Sequence, residues 1–325
     1  MLRLAVTTRA ETYERMQEPL ADRSIAVEHV PTTERTLTPD DDLDGFDVGF
    51  VFPPRLAEGG VADALLGVPW VNGREDVLRS RYKGETLARL SQAGVPTPET
   101  AVVSDPVDEA QLRAAFDRFD PPVVVKPNSA TRGVGVTTAG DLDSFLGICD
   151  YLDLVHDYRA TGDCSFLVQE YLPEARDYRA MVVDGDCVGA VERRIQNDPE
   201  TDRDESRQMG VDTTDPETAH SGVRPSEADT TSPGAGVGQR GPTGRWKHNV
   251  HRGAVAQGVD LPTELRDLAE SAAAALDVPW LGVDLLVTDG RAVVNETNAR
   301  PTIDTADKYR PGFWDTVATL VRQTA

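Results

Sequence analysis

The stretch from Leu281 to Asp304 constrains this chain most strongly, because it combines apolar strands with oxygen-bearing side chains. Its pattern predicts two short strands, Leu281–Val287 and Ala292–Asn295, that are joined at Asp289-Gly290. An Asp-Gly pair between two apolar runs is a strong signal for a β-hairpin. The hairpin therefore limits which side chains of this stretch can meet.

Three of those side chains, Asp284, Glu296 and Asn298, carry hard oxygen donors. A carboxylate inside an apolar strand is costly unless it is paired or binds a metal. Glu296 and Asn298 are two residues apart and point to the same face of a strand, and strand pairing can bring Asp284 beside them. Such a set suits Mg²⁺ that carries the phosphates of a nucleotide. An acidic loop beside a hairpin explains the same three residues equally well.

The charge of the chain excludes several classes of partner. The sequence has 33 basic and 55 acidic residues, a formal net charge of −22. Because binding to a phosphate backbone needs a basic face, we expect neither nucleic acid nor an anionic membrane surface as a partner. An acidic, lysine-poor surface is typical of a halophilic protein in a salty cytosol, where screening relaxes self-repulsion.

Length and cysteine content predict a globular protein in a reducing compartment. A chain of 325 residues with 39% hydrophobic content suggests two or three lobes. Its three cysteines are widely spaced and form no CxxC, so neither a zinc site nor a disulfide framework is indicated. We expect no signal peptide and no membrane helix, because no apolar run approaches the roughly 20 residues needed. These features predict a cytoplasmic protein.

The N-terminal part alternates strands with a helix, which predicts a small parallel α/β layer. The predicted elements are strands at Leu2–Thr8, Ile25–Val30 and Phe46–Phe52 and a helix at Glu11–Ala21. No GxGxxG follows the first strand, so a dinucleotide-binding fold has no specific support. A single amphipathic helix, Arg74–Ala93, is predicted next. It contains Lys83, which taken alone is a residue of a solvated face.

The run PPVVVKPNSATRGVGVTT predicts a buried strand, Val123–Val125, that ends at Lys126. The small-residue loop Asn128–Gly135 follows and returns into a strand at Val136–Thr138. Backbone N–H groups of such a loop can fold over phosphates. The run is not a Walker A sequence, since Lys126 precedes the glycines. An ordinary turn explains the glycines as well, whereas the lysine at the strand end is more specific.

The remaining elements follow the same kind of pattern. We predict helices at Asp141–Asp150, Tyr151–Arg159, Leu261–Leu276 and Phe313–Arg322 and strands at Ser165–Leu172, Ala180–Val183 and Val188–Arg194. The end of the strand Ser165–Leu172 can present backbone groups to an adenine edge. The segment RWKHNVHRG, residues 245–253, places several basic or imidazole side chains beside a Trp, which in so acidic a chain indicates an anionic ligand.

In this order, these blocks resemble the ATP-grasp superfamily and, more narrowly, its RimK-like branch of α-L-glutamate ligases. The resemblance covers about Ser80 to Lys308 and is carried by VVVKPNSATRGVGV, FLVQEYLPEARDYRAMVV, VGAVERR, RWKHNVHRGA and LGVDLLV…VVNETN. It implies an α/β fold of α+β lobes, in which ATP lies between two of three lobes after a small α/β pre-ATP-grasp lobe. The implied domains are an N-terminal domain at 1–98, a lid subdomain at 99–172 and a C-terminal subdomain with the metal site at 173–325.

The resemblance also implies which residues contact ATP. According to the resemblance, two lysines and a glycine loop bind the phosphates. The hinge strand binds adenine, and Asp177 lies near the ribose. The implied ATP contacts are Lys83, Lys126, Arg132, Gly133, Gly135, Gln169, Glu170, Tyr171, Leu172, Asp177, Lys247, His248 and Asn249. Lys247 stands where the branch often has Arg, which keeps the charge but loses the bidentate fork.

A metal site and two catalytic arginines are implied as well. Asp284, Glu296 and Asn298 match the magnesium ligands, with Glu296 bridging two ions and Mn²⁺ as the alternative metal. Arg252 and Arg193 are expected to hold the acylphosphate or the tetrahedral oxyanion. The chain departs from the family in ETNARPTID, where Arg300 and Pro301 replace small residues and a Pro-Gly turn. That departure affects the substrate pocket more than ATP binding.

The implied activity is ATP-dependent ligation of a carboxylate to an amine through an acylphosphate. The resemblance points to L-glutamate as the added amino acid and to a protein C-terminus, a cofactor tail or a small metabolite as the acceptor. Two alternatives stay open, an ATP-grasp ligase of another specificity, such as a dipeptide ligase, and a nucleotide-binding module without turnover. Small-molecule substrates are the expected partners, and a homo-oligomer stays open.

The segment from Asn197 to Gly244 predicts an insertion that interrupts the fold, because it lacks Leu, Ile, Phe, Trp, Tyr and Cys. Such a composition cannot bury a core. It is either a tolerated surface insertion or a gating arm. We expect a variant that lacks residues 197–244 to keep cooperative urea unfolding. Loss of the cooperative transition would contradict this prediction.

Overall fold

The computed structural model describes residues 1–104, 107–130, 134–156, 163–195 and 254–325. The predicted insertion and the basic segment at 245–253 thus lie outside the described residues. Within the described ranges the chain forms a three-stranded, a four-stranded and a five-stranded β-sheet. No helix of this part of the chain is both long enough and apolar enough to cross a membrane.

The three-stranded sheet confirms the predicted parallel α/β layer. Its strands are β1 (Leu2–Val6), β2 (Ile25–His29) and β3 (Val48–Phe50), which pair in parallel in the order β2-β1-β3. A π-helical turn at Arg9–Tyr13 leads into α1 (Glu14–Ala21), and α2 (Leu56–Leu66) follows β3. Both faces of a parallel sheet are normally covered, and Leu4 and Val6 on one face and Ala5 on the other are buried accordingly.

The prediction of one helix at Arg74–Ala93 was wrong, because the chain forms α3 (Arg74–Arg81) and α4 (Lys83–Gln92). Tyr82 separates them with an extended backbone, at φ −89° and ψ 103°. The break is stabilised from outside the helices. The backbone N–H of Lys83 donates to the carbonyl of Asn128 at 3.1 Å, and that of Gly84 donates to the Asn128 side chain at 2.8 Å. Lys83 therefore stands at the start of a helix.

The four-stranded sheet is antiparallel, with the order β4-β7-β5-β6. Its elements are β4 (Thr100–Ser104), α5 (Glu109–Phe116), β5 (Val123–Pro127), β6 (Thr137–Ala139), α6 (Leu142–His156) and β7 (Ser165–Glu170). The prediction of two helices, at Asp141–Asp150 and Tyr151–Arg159, was wrong over the described residues. Phe145, Cys149 and Leu152 are all buried in the core of this sheet and lie on one face of a helix. That apolar face extends past position 151, so a single helix continues there.

The five-stranded sheet contains the predicted hairpin. Its strands are β8 (Arg176–Val183), β9 (Asp186–Ile195), β10 (Ala254–Gly258), β11 (Trp280–Val287) and β12 (Ala292–Asn298), in the order β10-β9-β8-β11-β12. The hairpin of β11 and β12 is confirmed, with a register shift between Asp284 and Leu285. Helices α7 (Thr263–Leu276) and α8 (Phe313–Thr324) contribute to the apolar core of this sheet.

The three-stranded and five-stranded sheets share one hydrophobic core. The Trp280 ring of β11 contacts Phe50 of β3 edge-on at 5.2 Å between centroids, and it lies 6.2 Å from Phe313 of α8. Asn72, which is fully buried, connects the same regions. Its side-chain N–H groups donate to the carbonyls of Trp280 and Ala299 at 2.6 Å each, and its side-chain oxygen accepts from the N–H of Trp280 at 3.2 Å.

We predict that Asn72→Ala lowers the free energy of unfolding by about 2–4 kcal/mol, because it leaves buried backbone groups of Trp280 and Ala299 without partners. Urea denaturation would measure the loss. Gln323→Ala removes an amide from an exposed position and is the matched control. A loss at Asn72 no larger than at Gln323 would show that the bridge does not hold the sheets together.

Candidate active site

One face of the five-stranded sheet carries charge, whereas the other packs into the core. Successive residues of a strand point to opposite faces. Tyr178, Ala180 and Val283 belong to the apolar core. Their neighbours on the opposite face form what we call the charged face, defined by Asp177, Arg179, Arg193, Asp284 and Glu296.

Asp284 lies in the middle of the charged face, opposite Arg179 of β8 and opposite Glu296 of β12. The predicted meeting of Asp284 and Glu296 is therefore confirmed. Asn298 lies two residues further along β12, opposite Gly282. The hairpin thus sets the two predicted carboxylate ligands side by side and the predicted amide ligand on the same face.

Two arginines pair with Asp284. Arg179 donates to its carboxylate oxygens from Nε at 2.6 Å and from Nη2 at 2.8 Å, and Arg193 Nη2 lies 3.0 Å from Oδ2. Burial alone would raise the pKa of Asp284, but the two guanidinium groups outweigh it and lower this pKa to about 2. Asp284 is therefore ionised at neutral pH even without a bound metal ion.

Arg193 also pairs with Asp177, its cross-strand neighbour, through Nε at 3.0 Å and Nη2 at 2.6 Å from Oδ1. Burial raises the pKa of Asp177 to about 7, with repulsion from Asp284 adding to burial and Arg193 opposing it. Arg193 and Asp177 were predicted to have separate roles, and Arg179 was not predicted at all. The signal for Arg179 was the buried carboxylate of Asp284, which needs a cationic partner if no metal is bound.

The two predicted phosphate lysines converge next to the charged face. Lys83 Nζ lies 3.4 Å from Glu296 Oε1 and also donates to the carbonyl of Ala130. Lys126 Nζ donates to Gln169 Oε1 at 3.0 Å and to Asn295 Oδ1 at 3.3 Å. Both lysines are buried. The sequence contains four lysines in all, so the placement of two of them here is selective.

The protein environment disfavours the charged form of Lys126. Burial, which outweighs the attraction of Glu296, lowers the pKa of Lys126 to about 8, and repulsion from Lys83 acts in the same direction. A buried lysine whose main partners are neutral amide oxygens is suited to an incoming anion, because the anion would supply the missing negative charge.

The loop after Lys126 is tied to both neighbouring elements. The Asn128 side chain donates to Ser165 Oγ at 2.9 Å and accepts from the N–H of Gly84. Gly135 has a φ of +75°, and a Cβ there would lie 2.7 Å from Pro127 Cγ, so glycine is required at this position. Arg132 and Gly133, two other predicted contacts in the loop, lie outside the described residues.

The predicted hinge strand lies where the chain passes from the four-stranded to the five-stranded sheet. The Gln169 side chain is occupied by Lys126 and by Thr100 Oγ1, to which it donates at 2.8 Å. The Glu170 carboxylate accepts from the N–H of Glu99 at 2.6 Å and pairs with Arg291. Tyr171 and Leu172 are half-buried in the connection to β8.

The donor chemistry of Asp284, Glu296 and Asn298 fits a hard divalent cation. Both Asp284 oxygens already accept from arginines, and Asn298 Oδ1 accepts from the N–H of Arg300 at 2.8 Å, so a metal would have to share these oxygens. No group of three or more His, Cys, Asp or Glu side chains with metal-binding geometry occurs in the described part of the chain. The metal assignment stays a prediction.

Arg300 differs from every other arginine near the site. Its Nε and Nη1 atoms are buried and have no hydrogen-bond partner among the described residues. Burial and repulsion from Arg81 lower the pKa of Arg300 to about 10. In the sequence, Arg300 stands out only as a departure from the family pattern.

The other predicted contacts lie elsewhere or outside the described residues. Those outside are Lys247, His248, Asn249 and Arg252. A cavity of about 510 Å³ opens at the edge of the five-stranded sheet, between Gly189, Leu261 and Arg310. Its lining includes none of the predicted site residues, so we do not place the active site there.

A model of the RimK-like ATP-grasp domain matches residues 80–204 and 234–312. The chain belongs to this family. The gap between the two matched stretches falls inside the predicted insertion at 197–244. Among solved structures, a D-alanine–D-alanine ligase from Bacillus anthracis matches with a TM-score of 0.64 and 14% identity, over 100% of this chain and 97% of that one. A RimK domain ATP-grasp protein from Sphaerobacter thermophilus matches with a TM-score of 0.59 and 20% identity, over 99% and 98%. The predicted ATP-grasp fold is confirmed.

Relatives with named activities match a smaller share of the chain at somewhat higher identity. A probable α-L-glutamate ligase from Enterobacter sp. (strain 638) is 26% identical over 246 residues, which cover 75% of this chain and 64% of the relative. A ribosomal protein bS6–L-glutamate ligase from Escherichia coli O139:H28 is 24% identical over the same shares. The matched region thus spans about two thirds of the length of these relatives or slightly less.

We predict that the stability of the protein relative to Lys126→Met rises with pH between about 8 and 10.5. In this window the unfolded chain, with an ordinary lysine pKa of 10.5, binds a proton that the folded chain does not. The loss of folding stability caused by burying the charged lysine is therefore complete below about pH 8. It is relieved above that pH, by on the order of 3 kcal/mol in total. Urea unfolding of both proteins at several pH values measures the difference, and a difference independent of pH would contradict the buried-lysine argument.

Proposed function

We propose that the protein is an ADP-forming carboxylate–amine ligase that uses ATP and a divalent metal. The observation that carries this proposal is the convergence of two buried lysines with Glu296 at the edge of the charged face. Family membership and the names of the relatives support it. L-Glutamate is the amino acid we propose, since the relatives are named as glutamate ligases.

The lysines would neutralise the phosphates of ATP. Lys83 at the start of α4 and Lys126 at the end of β5 reach the same place from different elements. We assign the loop after Lys126 the role of adding backbone N–H groups to the phosphates, and the hinge residues Glu170 to Leu172 the role of contacting adenine. ATP would then exchange the present partners of the lysines for phosphate oxygens, which is favourable for a lysine of lowered pKa.

Ligation of this kind needs positioned reactants more than proton transfer by the protein. The acceptor carboxylate oxygen forms a bond to the γ-phosphorus while the bond to the β-phosphate oxygen breaks, which yields ADP and an acylphosphate. The amine of the second substrate attacks the acyl carbon, loses a proton and expels phosphate. Arg179 and Arg193 lie on the charged face with donors that can stabilise the negative charge formed in these steps.

Asp284, Glu296 and Asn298 would hold the divalent metal, Mg²⁺ or the alternative Mn²⁺. Such a cation supplies charge neutralisation at the terminal phosphates. With two ions, Glu296 is the residue we assign to both, because its carboxylate is half exposed and contacts only Lys83 among the described ion pairs. Arg179 and Arg193 keep Asp284 ionised before the metal arrives.

There is one alternative to glutamate ligation as the substrate specificity of this enzyme. The fold matches a D-alanine–D-alanine ligase over the whole chain, and the turn after Asn298 departs from the family, so a dipeptide or amino-acid ligase is the second candidate. We propose small-molecule substrates for both readings. The net charge of −22 supports a salt-rich cytoplasm as the working environment and disfavours nucleic acid as a partner.

We predict that the purified protein releases ADP from ATP and Mg²⁺ at high salt only when L-glutamate and a carboxylate acceptor are both present. Glu296→Gln should lower this rate by ~10²-fold or more, because it removes the charge of the assigned bridging ligand. A coupled assay of ADP release, run across a panel of amino acids and carboxylates, measures both effects.

Glu109→Gln is the matched control, since Glu109 is exposed and pairs only with Arg113 among the described residues. It should keep the parental rate. Full activity of Glu296→Gln would remove the metal assignment. If the protein binds ATP but no tested substrate pair leads to ADP release, the result would instead favour a nucleotide-binding module.

A further inference from the structure

Arg300 is half-buried, and the buried part of its guanidinium has no partner among the described residues. Its Nε and Nη1 atoms are shielded from solvent and lack acceptors, and no described carboxylate forms an ion pair with it. Buried N–H groups of a charged side chain that lack acceptors are costly. A fold keeps such a group when a ligand provides the missing partner.

A second guanidinium lies beside it. Arg81, the last residue of α3, is near enough to repel Arg300, and its only described hydrogen bond goes to the carbonyl of Pro54 at 3.4 Å. Two arginines that repel each other, neither of them in an ion pair with a described residue, mark a place for an anion in a chain with an excess of acidic residues.

The backbone at Arg300 is fixed by hydrogen bonds on both sides of the Ala299-Arg300 peptide bond. Ala299 accepts a hydrogen bond from Asn72 at 2.6 Å, and its N–H donates to Ser80 Oγ at 3.0 Å. The N–H of Arg300 donates to the Asn298 side chain at 2.8 Å. Arg300 is therefore held directly after the proposed metal ligand and against the N-terminal part of the chain.

We propose that Arg300, with Arg81 beside it, binds a substrate carboxylate that is not consumed in the ligation. This inference rests on the proposed function. The phosphates of ATP are assigned to Lys83 and Lys126, whereas an amino acid that reacts through its amine keeps its carboxylate throughout. The planar guanidinium matches a planar carboxylate. Small residues at this position of the family pattern cannot provide such a contact, so the site would be specific to this chain.

Arg300→Met tests the proposal, with Arg300→Lys as the conservative variant and Arg118→Met, at an exposed position, as the control. In the ADP-release assay, Arg300→Met should raise the KM for L-glutamate at least tenfold and leave the KM for ATP within about twofold. Arg300→Lys should recover part of the affinity. An unchanged KM for L-glutamate, or a parallel rise in the KM for ATP, would overturn the proposal.

Thermal unfolding without ATP separates this site from the ligase activity. Glutarate should raise the unfolding midpoint of the parent protein and of Arg118→Met but not that of Arg300→Met, and inorganic phosphate should act less strongly than glutarate. In the absence of ligand, Arg300→Met should be at least as stable as the parent, because it removes an unpaired charge. Marked destabilisation would show a structural partner for Arg300, and an equal response to phosphate would show a general anion site. Either result would overturn the proposal.

These measurements also distinguish the two levels of inference. If the parent protein releases no ADP with any substrate pair, the proposed function fails, and the glutarate response still decides whether Arg300 binds a carboxylate. If the parent is an active ligase and Arg300→Met has the parental KM for L-glutamate, only the carboxylate site fails.

Discussion

Pairing of buried charges on one face of the five-stranded sheet is the constraint on which the rest of this structure depends. Asp177, Arg193 and Asp284 are each less than 10% exposed, so none of them is tolerated without a partner. Their pairing works only in one strand register, because a slip by one residue would move the charged side chains into the apolar core. The same register that satisfies the charges also sets Asp284 beside Glu296. Stability and the geometry of the proposed metal site therefore come from one arrangement of strands.

The four-stranded and five-stranded sheets meet through polar contacts rather than through a shared core. Lys126 of β5 reaches Asn295 of β12, Glu170 of β7 pairs with Arg291, and the N–H of Val294 donates to the carbonyl of Pro96 at 2.9 Å. By contrast, the three-stranded and five-stranded sheets form one hydrophobic unit. Polar contacts exchange for ligand contacts at lower cost than apolar packing, because the groups involved can be satisfied by either partner. The structure thus concentrates its replaceable interactions at the junction to which we assign ATP.

Sequence reasoning succeeded where one local pattern determined the outcome. The Asp-Gly turn and its apolar flanks predicted the hairpin, and strand periodicity then set Asp284 beside Glu296. It failed where contacts from distant residues decided. The break at Tyr82 depends on Asn128, more than forty residues away, and periodicity within Arg74–Ala93 cannot reveal it. The role of Arg179 depends on the pairing of β8 with β11, which no local pattern specifies. The motif comparison identified Lys83 and Lys126, although the residues around Lys83 alone indicated a solvated lysine.

The helix break and Arg300 show how the N-terminal part of the chain shapes the site. By ending α3 at Arg81 and starting α4 at Lys83, the chain directs two cationic side chains that are separated only by Tyr82 to different places, one near Arg300 and the other beside Glu296. A continuous helix would place them about 160° apart around one axis. The backbone N–H groups of Lys83 and Gly84 would then be bonded within that helix and could not donate to Asn128. Ser80, one residue earlier, binds the N–H of Ala299 and so fixes the turn after the proposed metal ligands. The segment Ser80–Lys83 therefore couples the proposed phosphate contact to the proposed carboxylate contact, and a shift of α3 would alter both together.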